Sequence, residues 1–200
     1  MTVVAAALAG YLIGSLPTAN TLAGLWGVNL RTSGSGNPGA NNARRLAGLT
    51  PFFLILGVEM GKGVLAVLVG HSLAGDLGAV TAGLGAAAGN VYNVWYWFGG
   101  GKGLAITLGI LLAAWPTFVP FGLLIIGVSA AVTRSSGIGA LVALAGLFLG
   151  AVIWAWAGLD TGWGVEDVTT LLVLGIGIPL VLWQRHWADA KKHLRAPVPL

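Results

Sequence analysis

The residues of this chain best suited to chemistry are cations set among glycines. Arg31-Thr-Ser-Gly-Ser-Gly-Asn-Pro-Gly-Ala-Asn-Asn-Ala-Arg-Arg45 gathers Ser35, Asn37, Asn42 and three arginines in one glycine-rich stretch. Gly99-Gly-Gly-Lys-Gly103 sets Lys102 between glycines. Successive backbone N–H groups in such turns can point into one concavity, and a fixed cation beside them completes an anion site. A Ser/Gly/Asn/Pro run is ordinarily a connector. A connector, however, needs neither four hydrogen-bonding heads in one compact turn nor a second glycine run with an embedded lysine. Together the two loops point to a site holding two phosphate-bearing groups. Neither fits G-x-x-x-x-G-K-[ST], so a nucleotide P-loop is not supported.

The elements that must position these loops are membrane helices. The chain is 56% hydrophobic and 8% charged, with a mean hydropathy of +0.88, whereas a soluble domain carries about 25% charged residues. The expected fold is an all-α integral membrane protein, a single domain over residues 1–200. Its seven transmembrane segments fall at about 2–26, 48–72, 77–91, 103–116, 118–133, 137–159 and 168–184. The third, fourth and fifth are short for a bilayer core that needs ~20 residues, and short segments commonly flank broken backbone. The first has no positive n-region and no A-x-A-like cleavage site, so it reads as a retained helix. There is no cysteine, hence no disulfide framework and no thiolate metal site. No His/Asp/Glu grouping has metal-ligand spacing.

Charge placement orients the chain. Arg31, Arg44, Arg45, Lys102, Arg134, Arg185, Lys191, Lys192 and Arg195 fall on one side of this scheme, while Asp76, Asp160, Glu166 and Asp167 fall on the other. By the positive-inside rule the N-terminus is outside and the C-terminus cytoplasmic, which makes both glycine loops cytoplasmic. The tryptophans lie mostly near segment ends and read as interfacial anchors. Glu59 and Lys62 sit inside the second segment, one turn apart on one face. Charges at that depth are expensive and face inward. Glu59 reads equally as half of a structural ion pair, and Lys62, flanked by Gly61 and Gly63, as close enough to a pocket to attract an anion. The basic tail from Arg185 to Arg195 reads as an amphipathic anchor on anionic lipid, not a nucleic-acid surface.

Gly14-Ser-Leu-Pro17, Gly34-Ser-Gly-Asn-Pro-Gly-Ala-Asn-Asn42, Glu59-x-x-Lys-Gly63, Gly100-Gly-Lys-Gly103 and His186-x-x-Asp189 occur in order along the chain. In this it resembles the acyl-phosphate-dependent glycerol-3-phosphate acyltransferases of bacteria, the PlsY family, over nearly its whole length. The resemblance implies a multi-pass protein of the bacterial cytoplasmic membrane, a monomer with its active site facing the cytoplasm. It would transfer a fatty acyl group from acyl phosphate to the 1-hydroxyl of sn-glycerol 3-phosphate, giving lysophosphatidic acid and phosphate without metal, nucleotide or other cofactor. Residue by residue it implies that Arg45 clamps a phosphate and that Ser35 and Asn37 bond phosphate oxygens or orient the glycerol hydroxyl. Lys102 would neutralise the leaving phosphate, and His186 would contact glycerol phosphate or shuttle a proton. Gly34, Gly36, Gly39, Asn42, Lys62, Asn90, Gly100, Gly101, Gly103 and Asp189 would complete the substrate-binding surface.

The chain departs from the family pattern at several points. Asn41 replaces a threonine, and Gly89-Asn90-Val-Tyr-Asn93 replaces G-H-x-x-P. Gly99 stands where lysine is frequent, Gly137 where a serine is expected, and Asp189 where asparagine is usual. An acid at 189 would repel phosphate unless paired with Arg185, Lys192 or His186. The alternatives are a small organic-phosphate transporter, which would also use glycine-broken helices and buried cations, and a catalytically weak or silent paralogue. The polar groups, however, cluster on one membrane face rather than at the midplane, and no inverted repeat is apparent.

Overall fold

In the computed structural model, which describes residues 1–195, the chain is a bundle of α-helices joined by loops and short 3-10 turns. Residues 196–200, the end of the expected domain, lie outside the described residues. The apolar stretch over 2–26 is not one helix. Helix α1 (Thr2–Ser15) stops at Leu16, whose φ −53° and ψ 126° are extended, and α2 (Thr18–Ala23) starts anew. The cause is Pro17, which lacks an N–H and disfavours helical geometry in the residue before it. Helix α3 (Ala40–Ala47) was not expected inside the polar loop.

Helix α4 (Leu49–Val91) contains the second and third expected segments and folds back on itself between them. Its ladder breaks at Ala74 (φ −152°, ψ 32°) and Gly75 (φ 58°, ψ −148°), the latter a conformation that favours glycine. Beside the turn the arms touch backbone to backbone: a β-carbon on Gly70 would fall 2.2 Å from the Gly78 carbonyl oxygen. After α5 (Leu104–Ala114), α6 (Val119–Thr133) and α7 (Ser136–Ala157) comes α8 (Leu171–Arg195), which continues well past the expected end at 184. Five of these helical stretches are long and apolar enough to cross a membrane. The α4 hairpin crosses twice and α5 adds a short pass, which gives the seven expected. No residue of α5 is exposed. Its shortness is tolerated because protein, rather than lipid, surrounds it.

In lipid, apolar area gives helices little reason to associate, so close packing through small residues takes its place. Gly10-x-x-x-Gly14 on α1 meets Gly85-x-x-x-Gly89 on the second arm of α4. β-Carbons on Gly10 and Gly14 would fall 2.0 Å from the Ala82 and Ala86 carbonyl oxygens, and one on Gly89 2.1 Å from that of Tyr11. This crossing carries Ser15 and Leu16 up to Asn90 and Asn93. Farther down, Val80, Ile106, Ile110, Leu174 and Ile178 form the dry centre among α4, α5 and α8. Trp115 belongs to that centre and is no interfacial anchor: it is fully buried and stacked on Phe118 at 4.3 Å.

The two ends of the bundle differ in charge. At one, Arg31 lies over Tyr96, Arg185 reaches the carbonyls of Val91 and Phe98, and Gly137 abuts α8 at Asp189. At the other, the Asp167 N–H donates to Asp76 Oδ2 at 2.7 Å and Thr117 donates to the Asp160 carbonyl at 3.0 Å. His71 stands at this acidic end, 3.4 Å from Asp76.

Candidate active site

The first glycine loop is built around one amide. Asn42, 2% exposed on the first turn of α3, accepts the Ser35 N–H at its Oδ1 (3.0 Å). Its Nδ2 donates to the carbonyls of Leu30 and Ser33, both at 3.0 Å. Gly34 (φ 61°) has no side chain because a β-carbon there would fall 2.3 Å from Asn42 Oδ1. Leu30 plugs the loop into a small core with Ala19, Ala23, Ala43 and Ile55, and its N–H donates to Asn20 Oδ1 at 2.8 Å. Asn42, expected to bind substrate, thus spends both amide hydrogens and one Oδ1 bond on shaping the turn. The loop leaves Ser35 exposed, with its Oγ accepting only a long 3.4 Å bond from the Asn37 N–H. Arg45 is also exposed, and among the described residues its guanidinium has no ion-pair or hydrogen-bond partner. Gly36 (φ 71°) and Gly39 carry the backbone between these groups.

The second loop is anchored from below. The N–H groups of Gly100 and Gly101 donate to the carbonyls of Val91 (3.0 Å) and Asn90 (2.9 Å). Gly100 and Gly101, expected to bind substrate, thus spend their N–H groups on anchoring the loop. Asn93 holds the loop to α1 by donating to the Ser15 carbonyl at 2.7 Å, and Arg185 forks onto the Val91 and Phe98 carbonyls at 3.2 and 3.0 Å. What the loop presents is Lys102, followed by Gly103 (φ 81°) and the first turn of α5, whose leading N–H groups have no intrahelical acceptor. Lys102 forms an ion pair with Asp189. His186 is buried, and its Nε2 lies 3.1 Å from the Lys102 carbonyl, to which it donates. The structure thus gives His186 and Asp189 the lysine loop as their partner.

Between the loops lies a cleft lined by Pro38, Glu59, Asn90, Tyr96 and Gly101, with about 10 Å³ of open volume. The loops nearly touch across it: the Pro38 carbonyl oxygen would stand 3.4 Å from a β-carbon on Gly101. Lys62, expected to attract an anion, turns its ammonium to partners within the bundle. Its ammonium has three donors and four acceptors within reach: Leu16 O at 2.9 Å, Thr18 Oγ1 at 3.3 Å and the two Glu59 oxygens at 3.2 and 3.0 Å. Glu59 in turn accepts from Thr18 Oγ1 at 2.5 Å and from Asn90 Nδ2 at 2.7 Å. Asn90 thus serves a buried carboxylate as well as edging the cleft. Arg31 was not expected at the site, yet its guanidinium lies 4.2 Å from the centre of the Tyr96 ring at the cleft's rim. Asn93 and Arg185 were missed as well. Nothing local in the sequence marks a side chain as the brace of a distant loop.

The sequence and the fold have known counterparts. Residues 4–196 match the family described as glycerol-3-phosphate acyltransferase. A relative of that name from Synechococcus sp. (strain JA-3-3Ab) is 43% identical over 141 residues, 69% of this chain and 68% of the relative. Others, from Synechococcus sp. (strain CC9902) and Symbiobacterium thermophilum, are 39% and 31% identical over 95% and 94% of this chain, and 90% and 89% of their own lengths. Among solved structures, the chain is similar to PlsY, an integral membrane glycerol 3-phosphate acyltransferase. Its glycerol 3-phosphate form superposes with a TM-score of 0.80 at 26% identity, over 97% of this chain and 92% of that one. Its lysophosphatidic acid form gives 0.77 at 25% identity, over the same shares of both chains. Sequence match and membrane-helical fold agree over almost the full length, and the chain belongs to the glycerol-3-phosphate acyltransferase family.

Proposed function

We propose that this membrane glycerol-3-phosphate acyltransferase takes its acyl group from acyl phosphate and delivers it to the 1-hydroxyl of sn-glycerol 3-phosphate. The hydroxyl oxygen attacks the acyl carbon, the bond from that carbon to the phosphate oxygen breaks, and the hydroxyl proton passes to phosphate. Lysophosphatidic acid and inorganic phosphate leave. Acyl phosphate is already an activated anhydride, so no protein nucleophile is needed. Positioning two bound reactants is worth roughly 7–11 kcal/mol at best, and charge stabilisation of the leaving phosphate adds to it. Arg45 offers a planar fork to one phosphate, Lys102 with the start of α5 offers a cation and helix-end N–H groups to the other, and Ser35 and Asn37 orient the hydroxyl between them.

The observation that carries this reading is the meeting of two separately built glycine loops, Pro38 against Gly101, at the basic end of the bundle. The basic end supports a cytoplasmic site in a bacterial cytoplasmic membrane, with the N-terminus outside. The test uses protein purified in detergent with palmitoyl phosphate and glycerol 3-phosphate, following phosphate release. Turnover in the parent that collapses in Arg45→Ala and Lys102→Ala is expected. Faster turnover with palmitoyl-coenzyme A than with palmitoyl phosphate would overturn the donor assignment, and activity surviving both substitutions would overturn the site.

A further inference from the structure

One stripe of α8 follows the lysine loop atom for atom. Leu182, His186 and Asp189 are spaced i, i+4, i+7 and so share a face. A β-carbon on Gly103 would meet the Leu182 side chain at 3.1 Å, His186 Nε2 holds the Lys102 carbonyl at 3.1 Å, and Asp189 holds the Lys102 ammonium. Backbone and side chain of Lys102 are thus held by different residues. The backbone grip is buried, since Leu182 and His186 are almost inaccessible. The side-chain grip is not: Lys102 and Asp189 retain 31% and 28% of their side-chain exposure. The Asp189 end is itself fixed, because α7 abuts it at Gly137, where a β-carbon would fall 2.9 Å from Asp189 Cβ. Arg185, the basic residue one turn back, is already engaged with loop carbonyls.

We propose that Asp189 is an internal competitor for anions at Lys102, an ionic latch that an incoming phosphate group must displace. The inference rests on Lys102 being a phosphate ligand. A carboxylate that neutralises the one lysine of the site costs affinity for any anion placed there, through repulsion and through competition for the same ammonium. Removing it leaves Lys102 in place, because His186 and Leu182 keep its backbone fixed. The latch therefore sets how tightly phosphate-bearing molecules are held and how readily inorganic phosphate departs.

The test is calorimetric titration of inorganic phosphate, the leaving group assigned to Lys102, into detergent-purified parent, Asp189→Asn, Asp189→Ala and Asp189→Glu proteins, with thermal unfolding confirming the fold of each. The two charge-removing variants should bind about two- to fivefold more tightly, the scale of one partly exposed ion pair, and Asp189→Glu should keep parental affinity. In turnover assays on the same preparations, KM for acyl phosphate and the inhibition constant of inorganic phosphate should both fall, while kcat does not rise. Unchanged or weaker binding in both charge-removing variants overturns the latch. A parent without turnover overturns the proposed reaction instead, and leaves the binding comparison to decide the latch by itself.

Discussion

Replacing Lys62 by methionine should be among the most damaging single changes in the bundle, because its ammonium neutralises a buried carboxylate. Its side chain is 6% exposed and that of its partner Glu59 is 5% exposed, with 3.0 Å between Nζ and Oε2. Methionine fills similar volume but leaves a buried carboxylate with only Thr18 and Asn90 as neutral donors, and takes one donor from the Leu16 carbonyl, which keeps the Thr18 N–H. Breaking a buried pair by removing one partner costs about 3–5 kcal/mol, most of it the stranded charge. Neutralising the other partner in the same chain should therefore restore stability. Glu59→Gln/Lys62→Met should recover about half or more of the loss, because Gln keeps an acceptor for Asn90 and carries no charge. The assay is equilibrium unfolding in mixed detergent micelles for the parent, both single variants and the double. A Lys62→Met cost near 1 kcal/mol, the level of an exposed pair, would refute this, as would a double-variant cost equal to the sum of the singles.

Asn42→Ala removes three loop hydrogen bonds worth roughly 0.5–1.5 kcal/mol each, so turnover should fall by about tenfold or more while helix content by circular dichroism stays unchanged. Asn42→Asp should do no better, since it sets an anionic oxygen against the Leu30 and Ser33 carbonyls that now accept from Nδ2. At the helix crossing, Gly14→Val should destabilise by about 1–3 kcal/mol in the same unfolding assay, as overpacking does. Gly57→Ala, where an added β-carbon meets nothing within 4 Å, should be neutral or stabilising by up to about 1 kcal/mol. Arg185→Lys loses the planar Nη2 group that donates to both the Val91 and Phe98 carbonyls, so the loop at 92–99 should become more sensitive to protease and activity should drop.

Much of the architecture was legible because bilayer thickness writes itself into runs of apolar residues. The seven passes, the paired segments within α4 and the shared end of the two glycine loops all follow from hydropathy and from where Arg, Lys and Asp fall. The boundaries that slipped did so for local reasons. Pro17 broke a run that hydropathy reads as continuous, and α8 continued past 184 because polar Gln184 and Arg185 end an apolar run without ending a helix. The site was legible as a set of polar residues but not as a set of partners. The sequence places Lys62 and Asn42 near an anion pocket equally well whether they face it or brace it. Only the folded positions of Leu16 and Thr18, far from Lys62 in sequence, and of Leu30 and Ser33 show what the two side chains hold. Gly100 and Gly101 suggested a cradle of free N–H groups, whereas the carbonyls of Asn90 and Val91 already accept from them. The α1–α4 crossing could have been read from its two G-x-x-x-G runs.

The partners of Glu59 and Lys62 also have an order in time. Leu16 and Thr18 leave the ribosome well before this charged pair, Lys62 follows Glu59 by three residues, and Asn90 arrives last, on the returning arm of α4. A lone charge at a helix centre costs about 2.5–3.5 kcal/mol during insertion, but the first arm meets the bilayer with its counter-charge one turn away and α1 already waiting. Asn90 then closes the set when the hairpin folds home. Shortening or scrambling α1 should thus betray itself during biogenesis, as failed co-translational integration of the first α4 arm, before any finished protein exists to assay.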